Sequence, residues 1–210
     1  MAFRTLKHAC FLLPFLMVAI AQLCNASDPA ITTDFLTPPN MSSAPDGNFF
    51  TFTGFRALVD ADPPTNFKLA EATASEFPAL QGQSVSYAVL QYAAGSVNPP
   101  HTHPRSADLL LLLDGSLEVG FVDTANKLFN QTLRAGDMFV FPKGLVHYEY
   151  NAAGKDSALA LAAFGSANAG AVSVPATVFA TGIDSTILAK SFKTDVATVQ
   201  KLKAGLAPGP

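Results

Sequence analysis

The sequence predicts an all-β fold, an antiparallel sandwich or barrel followed by short C-terminal α-helices. Three observations carry that expectation. Short apolar runs recur between turns rich in Gly and Asp from about residue 85 to residue 164, the pattern of consecutive strands. Near the C-terminus the apolar spacing changes to three and four residues, the period of a helix face. The chain has 210 residues, 49% apolar and 14% charged, enough for one well-filled core or at most two small ones.

The charge pattern removes whole classes of function. With 13 basic and 16 acidic residues the net charge is −3, so there is no basic footprint for nucleic acid. A chain this apolar and charge-poor is also not a disordered charged tail.

Along the chain, residues 1–26 read as a secretory signal. Arg4 and Lys7 precede a nearly unbroken apolar run over residues 11–23, and Cys24, Asn25 and Ala26 supply the small residues of a cleavage site. The run is short for a membrane span, and no later stretch reaches the roughly 20 apolar residues that a span requires. Removing residues 1–26 leaves 184 residues and, with Arg4 and Lys7 gone, a net charge of −5. Both cysteines, Cys10 and Cys24, leave with the signal, so the core, a metal or oligomerisation must hold the secreted chain. Residues 27–48, rich in Pro, Ser, Asp and Thr, read as an extended arm.

Residues 49–178 are expected to form the barrel. Strands are expected at 85–92, 109–113, 117–122, 138–141 and 159–164, closed by Asp123-Thr124, Gly136-Asp137 and Gly154-Lys155-Asp156. The five leucines at 109–113 read as a strand covered on both faces, because turns bound a run too short for a buried helix. Upstream, Thr73 and Glu76 have the spacing of a capping box and open one helical turn. Residues 179–210 form the helical extension. Asp184 caps a helix through Ile187, Leu188 and Phe192, and a second helix begins near Thr194 or Asp195 and runs to Gly205. Each is short for stability alone, so both must pack on the barrel or on another subunit.

The chemistry concentrates in three histidines. His101 and His103 stand at i and i+2, which on a strand places both imidazoles on one face. Asp108 opens the next apolar run, and pairing of that strand with the first would return it beside the histidines. His147 follows Pro142-Lys143-Gly144. Every histidine of the secreted chain enters this set, and three imidazoles with one carboxylate suit a divalent first-row ion. Singly, each residue has a plainer reading as a surface, turn or strand-start group. Arg105 stands at the mouth of the set or on the solvated surface. Asn40 and Asn130 head N-glycosylation sequons.

Two motifs carry a resemblance. Gly95-Ser96-Val97-Asn98-Pro99-Pro100-His101-Thr102-His103-Pro104-Arg105-Ser106-Ala107-Asp108, with Gly115 beyond, resembles the first cupin box. Gly136 to Asn151, containing Pro142, Gly144 and His147, resembles the second. The segment from Asn98 to Arg105 narrows the match to the germin-like proteins of plants. The likeness runs from Gly47-Asn48-Phe49-Phe50 to the C-terminal helices.

That resemblance implies a single-domain cupin β-jelly-roll barrel holding one Mn(2+) per chain. It implies His101, His103, Asp108 and His147 as ligands, a homo-oligomer that is a hexamer built as a trimer of dimers, and a place in the apoplast or cell wall. Three departures bear on activity. The family's carboxylate ligand is Glu, whereas Asp108 is shorter by about 1.3 Å, one C–C bond projected along the side chain. Either the strand shifts, a water intervenes or affinity falls. The cysteine pair that ties down the arm in the family is missing, so the arm is expected to be looser. Ala88 stands where an oxalate-oxidising relative has a pocket Asn, although Asn98 matches a second pocket Asn. The leading expectation is superoxide dismutase-type redox activity on a small anion at the metal, with a role in defence or stress. Oxalate oxidation ranks lower. The alternative is a non-catalytic wall-associated receptor, auxin-binding-type or storage barrel.

Overall fold

Strand boundaries fall where the turn residues stand. The computed structural model describes residues 28–58 and 61–206. The strands are β1 (Lys68–Ala72), β2 (Ser86–Tyr92), β3 (Val97–Thr102), β4 (Asp108–Asp114), β5 (Ser116–Val122), β6 (Leu128–Arg134), β7 (Met138–Phe141), β8 (Val146–Tyr150), β9 (Ala158–Phe164) and β10 (Val172–Ser173). Gly115 makes the hinge between β4 and β5. Its φ is +82°, and a Cβ there would stand 2.5 Å from the Ser157 carbonyl oxygen, so a side chain would meet both backbone strain and a backbone atom.

Among the described residues, ten strands divide into two antiparallel five-stranded sheets, ordered β1-β2-β9-β4-β7 and β10-β3-β8-β5-β6. Their facing sides close over one core, giving the expected all-β jelly-roll barrel. Period-2 alternation decides what enters that core. Ala88, Leu90, Leu110, Leu112, Leu117, Val119, Leu133, Ala158, Ala160 and Ala162 point inward and are at most 3% exposed.

The pairing corrects two expectations. β3 and β4 belong to different sheets, so Asp108 reaches the histidines from across the barrel rather than along a shared ladder. The leucine run is covered on one face only. Leu110 and Leu112 are buried, whereas Leu109 is 40% and Leu113 43% exposed. On that outer face Leu109 and Leu111 pair with Val140 and Met138, which are 54% and 56% exposed. An unbroken apolar sequence carries no alternation from which to read a second face.

Shorter or more polar strands, β1, β3, β6, β8 and β10, escaped the sequence pattern, as did the helix α1 (Val174–Phe179). Ser173 caps α1 by accepting from the Ala176 amide. The two anticipated helices form as α2 (Ser185–Ser191) and α3 (Val196–Leu206). The Asp184 carboxylate accepts from the Thr186 and Ile187 amides, and Asp195 accepts from the Thr198 amide, satisfying donors a helix start leaves free. Leu188, Ala189 and Val199 bury together against Val178 and Phe179. The helices therefore partner one another, and Ile187 and Phe192 still face outward.

Thr73 and Glu76 form the capping-box contact, with Thr73 N–H donating to Glu76 Oε2 at 3.0 Å. A single turn follows before the 3-10 segment Pro78–Leu80. The arm, although without cysteines, is tied at Asp28, whose carboxylate accepts from Ser166 Oγ at 2.7 Å and the Ala167 amide at 2.6 Å. The signal expected at 1–26 and both cysteines lie outside the described residues. No helix among the described residues is long and apolar enough to cross a membrane.

Candidate metal centre

The site forms where the two inner faces meet at one end of the barrel. His101 on β3 and His147 on β8 are register partners, so their rings project side by side. His103 stands one residue past the end of β3, and Asp108 opens β4 in the opposite sheet. All four are buried, at 2–9% exposure. The ring centroids of His101 and His147 lie 4.1 Å apart, those of His101 and His103 5.0 Å, and those of His103 and His147 5.2 Å.

Hydrogen bonds set the direction of each ring. Nδ1 of His101 faces the Pro99 carbonyl at 2.9 Å, Nδ1 of His147 the Leu145 carbonyl at 2.9 Å, and Nδ1 of His103 the Gly170 carbonyl. A carbonyl only accepts, so each Nδ1 carries the proton and each Nε2 is left with its lone pair. Such backbone contacts are the usual way a protein orients imidazole ligands. His147 also stacks on Phe141, with centroids 4.4 Å apart and planes 21° from parallel.

Burial keeps the rings neutral. It lowers the His101 pKa to about 4, against an opposing pull from the Pro99 carbonyl, and the His147 pKa to about 3, with His101 adding to the effect. His103 is lowered in the same way. For Asp108 burial acts in the other direction and raises the pKa to about 7. The three imidazoles thus need no deprotonation to bind a cation near neutral pH, whereas Asp108 must give up a proton part of the time.

Ligand atoms of His101, His103 and His147 lie within 4.8 Å of one another. Those of Asp108, His147 and Glu149 do the same, so His147 is common to both groups. Asp108 Oδ2 is 3.8 Å from His103 Nε2. Ligands on one ion with bonds near 2.0–2.3 Å stand roughly 3–4.5 Å apart, so the shorter acid still reaches this cluster.

Buried polar atoms here lack partners of their own. Asp108 Oδ1, His147 Nε2, both Glu149 carboxylate oxygens and the Tyr92 hydroxyl make no hydrogen bond within the protein. Buried polar atoms are nearly always bonded, and the converging carboxylate oxygens and imidazole lone pairs offer more acceptors than the Tyr92 hydroxyl and the Asn98 amide can satisfy. A cation satisfies that set, and the N/O chemistry fits a divalent first-row ion. The donors present therefore fit a metal.

Glu149 and Tyr92 are the members that sequence reasoning missed. Glu149 follows His147 by two residues on one strand, so period-2 alternation points both inward. Burial first, then the neighbouring Asp108, push its acid well above the usual range, while Asn98 pulls the other way. Tyr92 is raised similarly by burial, then by Glu149 and Asp108. Asn98 is half-buried and opposite Glu149 in the β3–β8 ladder. Ala88 lies in the barrel wall at 2% exposure. Asn40 and Asn130 are exposed, on the arm and on β6, outside the cluster.

Arg105 is exposed at the surface, where Asn168 holds its guanidinium. Its Nε donates to the Asn168 carbonyl at 2.6 Å and its terminal amine to Asn168 Oδ1 at 2.7 Å. Asn168 Oδ1 also accepts from the Gly170 amide at 3.0 Å, and Gly170 in turn holds His103. Gly170 has φ +66°, and a Cβ there would come within 2.6 Å of the guanidinium.

Against known proteins, the cupin family profile matches residues 60–200. The chain is 61% identical over 196 residues to germin-like protein 9-3 of Oryza sativa subsp. japonica, covering 90% of this chain and 91% of that protein. This chain is a germin-like cupin. It is also 42% identical over 160 residues to germin-like protein subfamily 2 member 2 of Arabidopsis thaliana, covering 75% and 73% of the two chains. Among solved structures, a recombinant oxalate oxidase in complex with glycolate superposes with a TM-score of 0.75 at 30% identity, covering 87% of this chain and 98% of that one. Within this germin-like cupin, the buried histidine-rich cluster is a set of side chains that could hold a metal ion.

Proposed function

We propose that the protein is a secreted, manganese-binding germin-like protein of the apoplast or cell wall, with superoxide dismutase-type redox activity and a role in defence or stress. The observation that carries the reading is the buried set of three imidazoles, each held at Nδ1 by a backbone carbonyl, with ligand nitrogens gathered within 4.8 Å. Manganese held there supplies one-electron redox cycling. Dismutation converts two superoxide ions and two protons to dioxygen and hydrogen peroxide, so it needs an anion-accessible ion and a source of protons. His101, His103 and His147 hold the ion in place. Asp108, which must lose its proton to do so, would join them as a carboxylate ligand, and the two protons come from solvent.

Oxalate oxidation is the second reading, favoured by the 30% identity to an oxalate oxidase. Ala88 opposes it, because a methyl group offers no hydrogen bond to a bound carboxylate. The exposed sequons at Asn40 and Asn130 suit glycosylation on a secretory route. The apolar outer face of Leu109, Leu113, Met138 and Val140 suits association into a homo-oligomer, with a hexamer as the expected state.

The test is an assay on the full chain loaded with one manganese per subunit. Superoxide dismutation that disappears on chelation and returns with manganese is the expected result. A fully loaded oligomer without dismutation overturns the enzymatic reading. Peroxide release from oxalate would then select the second reading, and its absence the non-catalytic barrel.

A further inference from the structure

We propose that Glu149 is a second carboxylate ligand of the metal centre, supplying the reach that Asp108 gives up. The inference rests on the metal-binding reading above and assigns a residue to it. Four observations converge. His147 and Glu149 alternate inward on β8, so the backbone that delivers one ligand delivers the other. The Glu149 side chain is 0% exposed, and neither oxygen meets a donor at full hydrogen-bond geometry, the Asn98 amide opposite being its polar neighbour. Its carboxylate falls within 4.8 Å of ligand atoms on both His147 and Asp108. Its partners across the ladders are Asn98 and Val119, with no basic side chain to pair it.

Two buried carboxylates at that separation repel each other, and burying each without a partner is costly. A bound cation reverses the sign of both effects. Glu149 also has the chemistry that position 108 lost. Its side chain carries the additional methylene, so it can bridge toward the ion from β8 while Asp108 approaches from β4. With both carboxylates ionised, a divalent ion is charge-balanced, whereas three imidazoles and one carboxylate leave a net positive charge. The centre then gives little attraction to a dianion such as oxalate and favours a small monoanion or neutral oxygen species.

The alternative arrangement is a carboxylic acid pair sharing a proton, with Glu149 outside the metal shell. Manganese binding separates the two. Free Mn2+ is followed by its aqueous electron paramagnetic resonance signal during titration of the metal-stripped full chain, with bound metal per chain counted after desalting. Wild type is expected to hold one ion per chain. Glu149→Gln should weaken binding at least 10-fold, and Asp108→Glu combined with Glu149→Gln should restore it to within a few-fold of wild type. Wild-type affinity in Glu149→Gln overturns the assignment and leaves the three-histidine reading intact. No manganese in folded wild type overturns both. Should Glu149→Gln fail to fold, anomalous scattering at the manganese edge from wild-type crystals decides. A Glu149 oxygen about 2.2 Å from the ion supports the assignment, and one beyond about 3 Å overturns it.

Discussion

The two ends of the barrel interior follow opposite rules on the same strands. On β4, Leu110 and Leu112 are fully buried among Ala160, Ala162 and Leu117, while Asp108, two residues before Leu110 and pointing the same way, is buried with an unpartnered oxygen. On β5 and β8, Leu117 and Val119 belong to the first kind of environment and His147 and Glu149 to the second. The aliphatic end gains stability from every atom it removes from water. The polar end spends it, holding neutral histidines and carboxylates that prefer solvent. One end maintains the fold, and the other is poised for an ion.

The largest expected effect breaks the aliphatic end. Leu112→Ala should cost about 2–5 kcal/mol, from lost transfer energy plus the cavity left behind. Denaturant melts of metal-free and metal-loaded protein should show the same loss. His147→Ala should act at the other end instead, lowering manganese affinity by about 100-fold or more while the metal-free chain keeps a cooperative melt. Equal losses of stability and affinity in both variants would erase the distinction between the two ends.

A pH series sharpens it. The Asp108 pKa of about 7 lies above its ordinary 3.8, so the folded state binds the extra proton and metal-free stability falls as pH rises from about 4 to 7. His101 and His147, lowered to about 4 and 3 from 6.5, act in the opposite sense, and their contribution is lost as pH falls below 6.5. Asp108→Asn removes one of these opposed slopes. It should stabilise the metal-free chain at pH 7 by on the order of 4 kcal/mol, and weaken manganese binding at the same pH. In wild type, affinity should fall at least 10-fold per pH unit below 7, as the ion displaces protons from both Asp108 and Glu149.

Smaller effects follow from the supports. Arg105→Ala frees the Asn168–Gly170 segment that orients His103, and should reduce manganese affinity several-fold with little change in melting temperature. Asp184→Ala removes the cap of α2 and should cost about 1 kcal/mol, without affecting metal binding.

What the sequence made legible follows from its periodicity. Apolar runs bounded by Gly and Asp located β2, β4, β5, β7 and β9, and Asp184 and Asp195 marked two helix starts. Polar strands stayed hidden: β6 exposes Leu128 and Phe129 beside Asn130 and Gln131, so no alternation announces it. The i, i+2 spacing of His101 and His103 was readable, because it is local. Which sheet carries Asp108 was not, since that depends on pairing between strands distant in the chain. Glu149 was within reach of the same two-residue rule that linked the histidines. Its burial beside His147 and Asp108 depends on strand pairing, which the local spacing does not show.

Metal content of the purified full chain tests the central claim most directly, counted per subunit by elemental analysis beside the His147→Ala variant. Close to one manganese per wild-type chain, with almost none in the variant, is the predicted result. Equal metal in both, or far less than one in folded wild type, would contradict it.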